Sequence, residues 1–262
     1  MTEEQYIAEL IYQLADDNFI HAYRGSEWLG LAPHIEEDVA FSSINQDTMG
    51  HASIYYKLLE ELGEGMMNDL SHRGNPKDFR NAVILEEVNG IGTYLVQPKY
   101  DWAFTVVRQL SFGVLKQIRL ESLNQSSYEP LVSVSRKIQM EQYYHLMHWE
   151  TWFIQLMSST EEARKRMEQA IHRVWRDFGG AITLGKYGKE ISDLDLIASE
   201  EELENEWLNR IRKLFVQVNF TIEGKPGIEQ GNGRNGEHTE DLTEALNILG
   251  EVYHSDKQAV SW

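Results

Sequence analysis

Two short stretches decide how this chain folds: Gln46-Asp47-Thr48-Met49-Gly50-His51 and Glu141-Gln142-Tyr143-Tyr144-His145. Each ends in a histidine, and the residue three positions earlier shares its helix face. That residue is Thr48 in the first stretch and Gln142 in the second. Large apolar side chains recur around both histidines at helical spacing, which predicts that both pairs face the interior of a helical bundle. These flanking residues are Phe41, Ile44, Tyr55, Val134, Ile138, Trp149 and Trp152.

Most of the chain is predicted to be helical. Its five prolines, at positions 33, 76, 98, 130 and 226, fall near segment ends or in loops and leave long uninterrupted stretches. Residues 79–100 predict a short helix and a connector, 181–198 irregular structure, and 223–236 a glycine-rich loop. Periodic apolar residues predict helices at about 7–28, 33–63, 100–123, 130–157, 161–178, 200–220 and 240–253.

A bundle with an inward histidine on its second and fourth long helices has the layout of ferritin-like di-iron carboxylate proteins. The chain contains neither a solenoid repeat nor a linker long enough to require two domains. We therefore predict an all-α fold, a ferritin-like four-helix bundle with additional peripheral helices, in one domain spanning residues 1–262.

The two histidine motifs lack the glutamate that such proteins place three residues before each metal-binding histidine. A hydroxyl at Thr48 or a neutral amide at Gln142 does not replace an anionic ligand of iron. Asp47 and Glu141 each stand four residues before a histidine, so they suggest a rearranged site for a single metal. The competing interpretation is that His51 and His145 are buried histidines that hydrogen-bond to neighbouring side chains.

Composition excludes several classes of protein. The formal charge is −18, which repels phosphate backbones and anionic lipids, so we expect neither a nucleic-acid nor a membrane partner. Cysteine is absent, which excludes disulfides and thiolate chemistry and fits a reducing cytoplasm. The acidic start at residues 1–5 is unlike an export signal, and no apolar run approaches the ~20 residues of a membrane span. We expect a cytoplasmic protein.

Residues 28–56 and 127–145 resemble the phenylacetyl-CoA epoxidase (ring-1,2-epoxidase) family of multicomponent monooxygenases. The resemblance extends over nearly the full chain, including Leu31-Ala32-Pro33, Asn89-Gly90 and His238-Thr239-Glu240. The chain as a whole resembles the non-catalytic C-type subunits of that family. The catalytic subunits are similar around His51 and His145, but carry Glu where this chain has Thr48 and Gln142.

The resemblance implies the loss of the whole di-iron site. An ungapped comparison places the two other carboxylates of the catalytic subunits at Gly25 and Gly113. The resemblance then implies a structural subunit with no cofactor of its own, in a homo- or hetero-oligomer. Its expected partner is the homologous di-iron catalytic subunit, which would carry the iron and oxygenate phenylacetyl-CoA.

Two further hypotheses remain open at the level of sequence. One is a divergent metal-dependent oxygenase that uses Asp47, His51, Glu141 and His145. The other is a homo-oligomeric binding protein whose former metal pocket is filled by side chains or holds a small ligand. At the C-terminus, Trp262 suggests an aromatic anchor for a partner, although a frayed end is the default interpretation.

Overall fold

In a computed structural model, residues 1–256 are described, so the suggestion about Trp262 lies outside the described residues. The long helices are α1 (Glu3–Ser26), α2 (Ile35–Glu61), α5 (Trp102–Leu123) and α6 (Glu129–Met157). The other elements are α3 (Met67–Ser71), α4 (Val83–Glu86), β1 (Gly90–Thr93), β2 (Val96–Tyr100), α7 (Glu161–Asp177), α8 (Gly179–Ile182), α9 (Gly188–Asp193), α10 (Glu200–Gln217) and α11 (Glu240–Ser255). Short 3-10 turns occupy Pro76–Asp78, Gly185–Tyr187 and Gly233–Asn235.

The four long helices form the bundle that the sequence predicts. α1 packs along α2, α5 packs along α6, and α2 also contacts α6, while α7 and α10 cover α5 from outside. The periodic apolar residues of these helices belong to one hydrophobic cluster. The all-α, ferritin-like four-helix fold is thereby confirmed, and no helix within residues 1–256 is long and apolar enough to cross a membrane.

Local signals explain where the helices of the bundle begin. The hydroxyl of Thr2 accepts a hydrogen bond from the amide of Gln5, whose side chain bonds back, so α1 opens with a capping box. α2 begins two residues after Pro33, because His34 caps it through Nδ1. Pro130 lies in the first turn of α6, where its missing amide hydrogen costs nothing.

The prediction of a short helix and a connector for residues 79–100 is wrong in part, because this segment contains a two-stranded antiparallel sheet. β1 pairs with β2, and Pro98 lies within the second strand. The backbones approach so closely at Gly90 that an added Cβ would collide with the carbonyl oxygen of Lys99. Most hairpin side chains are exposed, so the alternating pattern by which a half-buried strand is recognised is absent.

The segments that the sequence predicts to be irregular are also more ordered than expected. Residues 181–198 include the end of α8, a 3-10 turn and α9. In the glycine-rich loop, the buried Arg234 guanidinium binds both carboxylate oxygens of Asp17 in α1 at 2.8 Å. Arg119 of α5 holds the same carboxylate at 2.9 Å. The loop is therefore anchored to the bundle by a buried ion triad.

Candidate functional site

The two histidine motifs meet between α2 and α6 through a pair of crossed contacts. His51 of α2 bonds through Nε2 to Glu141 of α6 at 2.7 Å. His145 of α6 bonds through Nε2 to Asp47 of α2 at 3.0 Å. Each histidine therefore contacts the acid of the other helix. The two imidazole centroids are 6.2 Å apart.

A lysine that the sequence analysis overlooked lies at the centre of this arrangement. Lys116 of α5 donates from Nζ to Nδ1 of His51 at 2.8 Å, and its side chain is buried. An ammonium group only donates hydrogen bonds, so Nδ1 of His51 accepts and Nε2 carries the ring proton toward Glu141. Lys116, His51 and Glu141 thus form one chain of hydrogen bonds that spans α5, α2 and α6.

Burial shapes the protonation of all three basic groups. Burial lowers the pKa of Lys116 to about 7, although the carboxylates of Glu141 and Asp47 favour its charged form. The pKa of His51 is lowered by burial and by the positive charge of Lys116. The pKa of His145 is lowered for the same two reasons, against the opposing effect of Asp47. Both imidazoles are therefore neutral near pH 7.

Thr48 and Gln142, the positions at which the resemblance implies a lost carboxylate, make contacts within the bundle itself. The Thr48 hydroxyl donates to the carbonyl of Ile44, one turn earlier on its own helix, at 2.8 Å. The Gln142 amide donates across to the carbonyl of Gly113 on α5 at 3.0 Å. Two of the predicted positions are thus joined directly to each other.

Gly25 does not lie with the other predicted site residues. Thr48, Gly113, Gln142 and His145 line one small interior space, of about 20 Å³. Gly25 instead lines a separate cavity of about 250 Å³ between α1 and α2. Any side chain at position 25 would collide with Asn45, whose Oδ1 occupies the space that a Cβ would need.

His21 is the residue by which α1 reaches the interior space. Its Nε2 lies 2.8 Å from Oε1 of Gln109 on α5, and its ring packs on Phe112. Sequence reasoning missed both His21 and Lys116. A usable signal existed for the lysine, because Lys116 stands three residues after Gly113 and therefore shares its helix face.

The site opens to solvent on the side of its two acids. A polar cleft of about 260 Å³ between α2 and α6 is lined by Asp47, His51, Lys137 and Glu141 among others. The side chains of Asp47 and Glu141 are 40% and 48% exposed. His148, three residues beyond His145 on α6, does not join the site, since it bonds to the buried Glu37 at 3.1 Å.

These donors are a poor match for a pair of iron ions. The chemistry of such a centre needs anionic oxygen ligands on several helices, whereas the inward positions hold a hydroxyl, an amide, a glycine and an ammonium group. The interior space has room for about one water molecule. Within residues 1–256, no three or more His, Asp or Glu side chains come together in a group that would hold a metal ion.

Comparison with known proteins shows the family to which the chain belongs. The chain matches the phenylacetic acid catabolic protein family over residues 1–262, and it belongs to that family. It is 25% identical over 231 residues to the C-type subunit of the 1,2-phenylacetyl-CoA epoxidase of Escherichia coli (strain K12), a match that covers 88% of this chain and 89% of that protein. The resemblance inferred from the motifs is confirmed.

Proposed function

We propose that this chain is a non-catalytic structural subunit of a multicomponent phenylacetyl-CoA epoxidase. In this role it pairs with a homologous subunit that carries the di-iron centre and supports that subunit in phenylacetate degradation. The family membership supplies the chemical context, and the similar Escherichia coli protein is by its name a subunit of such an epoxidase.

The observation that carries the non-catalytic role is the hydrogen bond between Gln142 and Gly113. The amide at one former ligand position is bonded to the backbone at another, 3.0 Å away, in the space where a di-iron centre would need carboxylates. Thr48 turns its hydroxyl to its own helix. These two inward positions thus bond within the bundle and supply no anionic ligand, while the nearby carboxylates of Asp47 and Glu141 bond to the two histidines.

An exposed stripe on α6 supports the pairing. Met140, Tyr143, Tyr144 and Met147 follow the spacing of one helix face and are 75%, 62%, 64% and 49% exposed. Tyrosine and methionine are enriched in the buried centres of protein interfaces, and a contiguous exposed apolar patch marks an interaction surface. We assign this stripe, which flanks the cleft at Glu141, to contact with the homologous bundle.

Co-purification of the two subunits tests the pairing. We expect the complex to form with the wild-type chain and Tyr143→Ser/Tyr144→Ser/Met147→Ser to weaken it at least about 30-fold, because interface anchors contribute about 2 kcal/mol or more each. Ile248→Ser/Val252→Ser on α11 is the matched control, since these residues are 59% and 63% exposed. A complex that survives the triple substitution would place the pairing surface elsewhere.

Activity and metal content test the non-catalytic role separately. The isolated chain, supplied with iron and a reductase, is expected to leave phenylacetyl-CoA unchanged, and it should purify without stoichiometric metal. Turnover by the isolated chain, abolished by His51→Ala, would instead establish the divergent oxygenase that uses Asp47, His51, Glu141 and His145.

A further inference from the structure

Lys116 is a cation placed beside the two crossed pairs, His51–Glu141 and His145–Asp47. Around its ammonium group lie two neutral imidazoles and the carboxylates of Asp47 and Glu141, whose charges both act on it. A buried lysine carries a large desolvation penalty unless negative charge compensates it. An apolar side chain at this position of α5 would avoid that penalty, so packing alone does not explain a lysine here.

We propose that the Lys116 ammonium takes the place of a metal ion in this bundle. It supplies, from the chain itself, the positive charge around which the pairs His51–Glu141 and His145–Asp47 are arranged. The proposal concerns the internal organisation of the site and does not depend on which protein this subunit pairs with.

The connectivity of the site supports this role. A metal in a ferritin-like bundle joins several helices by binding side chains from each of them. Here Lys116 of α5 bonds to His51 of α2, and His51 bonds to Glu141 of α6. One cation therefore links three of the four bundle helices. It comes from α5, three residues after Gly113, where the resemblance implies that a carboxylate has been lost.

The charge of Lys116 would also oppose the binding of a divalent ion. A unit charge about 4 Å from a divalent cation repels it by several kcal/mol at the effective dielectric of a protein. Lys116 in its present position thus opposes any metal that would approach Asp47, His51, Glu141 and His145 from the cleft. Removal of the ammonium group leaves two carboxylates and two imidazoles without a compensating cation.

A double-mutant cycle in the full-length chain at pH 6.5 tests the charge role. Lys116→Met is measured by urea denaturation in the wild type and in Asp47→Asn/Glu141→Gln. We expect Lys116→Met to reduce the folding equilibrium constant by a factor that is at least tenfold larger in the wild type, where both carboxylates are present, than in Asp47→Asn/Glu141→Gln. Additive effects, which indicate packing alone, would overturn the proposal. Lys116→Gln replaces Lys116→Met if the latter does not fold.

Lys137→Met is the matched control for this cycle. Lys137 lines the same cleft and is exposed, but His51 takes its hydrogen bond from Lys116. The substitution should show less than a threefold coupling to the two carboxylates. If both lysines were coupled equally to the two carboxylates, the coupling would be a general electrostatic effect of the cleft. That result would contradict a specific role for Lys116.

Cobalt(II) binding provides the second measurement, since its visible spectrum reports coordination by protein ligands. At pH 6.5 the wild-type chain should bind no stoichiometric Co²⁺, while Lys116→Ala, which removes the charge and opens space, should bind it at least tenfold more tightly. The gain should disappear in Lys116→Ala/His51→Ala. Stoichiometric Co²⁺ on the wild type, or equal affinity in Lys116→Ala, would overturn the proposal.

Discussion

The buried lysine predicts an unusual dependence of stability on pH. Its pKa is 10.5 in an unfolded chain and about 7 in the folded protein. Between these values the unfolded chain binds a proton that the folded protein has released, so the free energy of unfolding rises with pH. Below pH 7 both states are protonated, and the penalty of the buried charge is fully present.

The expected size of this effect follows from the shift. One unit of pKa corresponds to 1.36 kcal/mol, so the full shift corresponds to on the order of 5 kcal/mol, and the interval from pH 7 to 9 to about 2–3 kcal/mol. His51 and His145 stay neutral over this interval, because the pKa of each is lowered. The difference in unfolding free energy between the wild type and Lys116→Met should therefore move by about 2–3 kcal/mol in favour of the wild type.

Urea denaturation of both proteins at pH 6.5, 7, 8 and 9 measures this difference. Groups that titrate alike in the two proteins contribute equally to both unfolding free energies. Their contributions therefore cancel in the difference between the wild type and Lys116→Met. Lys137→Met, which removes an exposed lysine of the same cleft, should run parallel to the wild type. A constant difference between the wild type and Lys116→Met across the interval would refute the assignment of a buried, readily deprotonated lysine.

Three further predictions concern the contacts that hold the bundle together. Arg234→Met removes one of the two arginines that pair with the buried Asp17 carboxylate and should cost about 3–5 kcal/mol of stability. Thermal denaturation should show a much lower melting temperature for this variant than for the exposed control Arg166→Met, and equal melting temperatures would contradict the buried triad. Glu37→Leu removes the acceptor of the Trp152 indole and the partner of His148, so urea denaturation should show a loss of about 1–3 kcal/mol relative to Glu36→Leu. Leu95→Ser at the hairpin tip, where the side chain is 87% exposed, should change unfolding by less than about 0.5 kcal/mol, and a larger change would mean that the hairpin packs on the bundle.

The helices were predictable because their signals are local. The spacing of apolar residues, the prolines and the glycines between segments place each long helix to within a few residues of its observed ends. The β-hairpin at Gly90–Tyr100 was not predictable in this way. Its strands expose most of their side chains and are defined by pairing with each other, which a local pattern does not record.

The sequence predicted which side chains of the candidate site face inward, but not which side chains of other helices they contact. Helical phase places Thr48, His51, Gln142 and His145 inward, and all four are buried. Their spacing suggests Asp47 and Glu141 as ligands of a shared metal, whereas each bonds to the histidine of the opposite helix. The phase of one helix says which residues face inward, but not which side chain of another helix they meet.

The sequence by itself determined the class of the fold, the inward direction of both histidine motifs and the absence of glutamate at positions 48 and 142. These follow from residue identity and from a helix period that repeats within each segment. Only the tertiary structure decided that Lys116 of α5 would reach His51, that Gln142 would bond to Gly113, and that Gly25 would lie beside Asn45. Those contacts depend on how far α5 and α1 slide and rotate against their neighbours, and packing of the whole core sets that geometry.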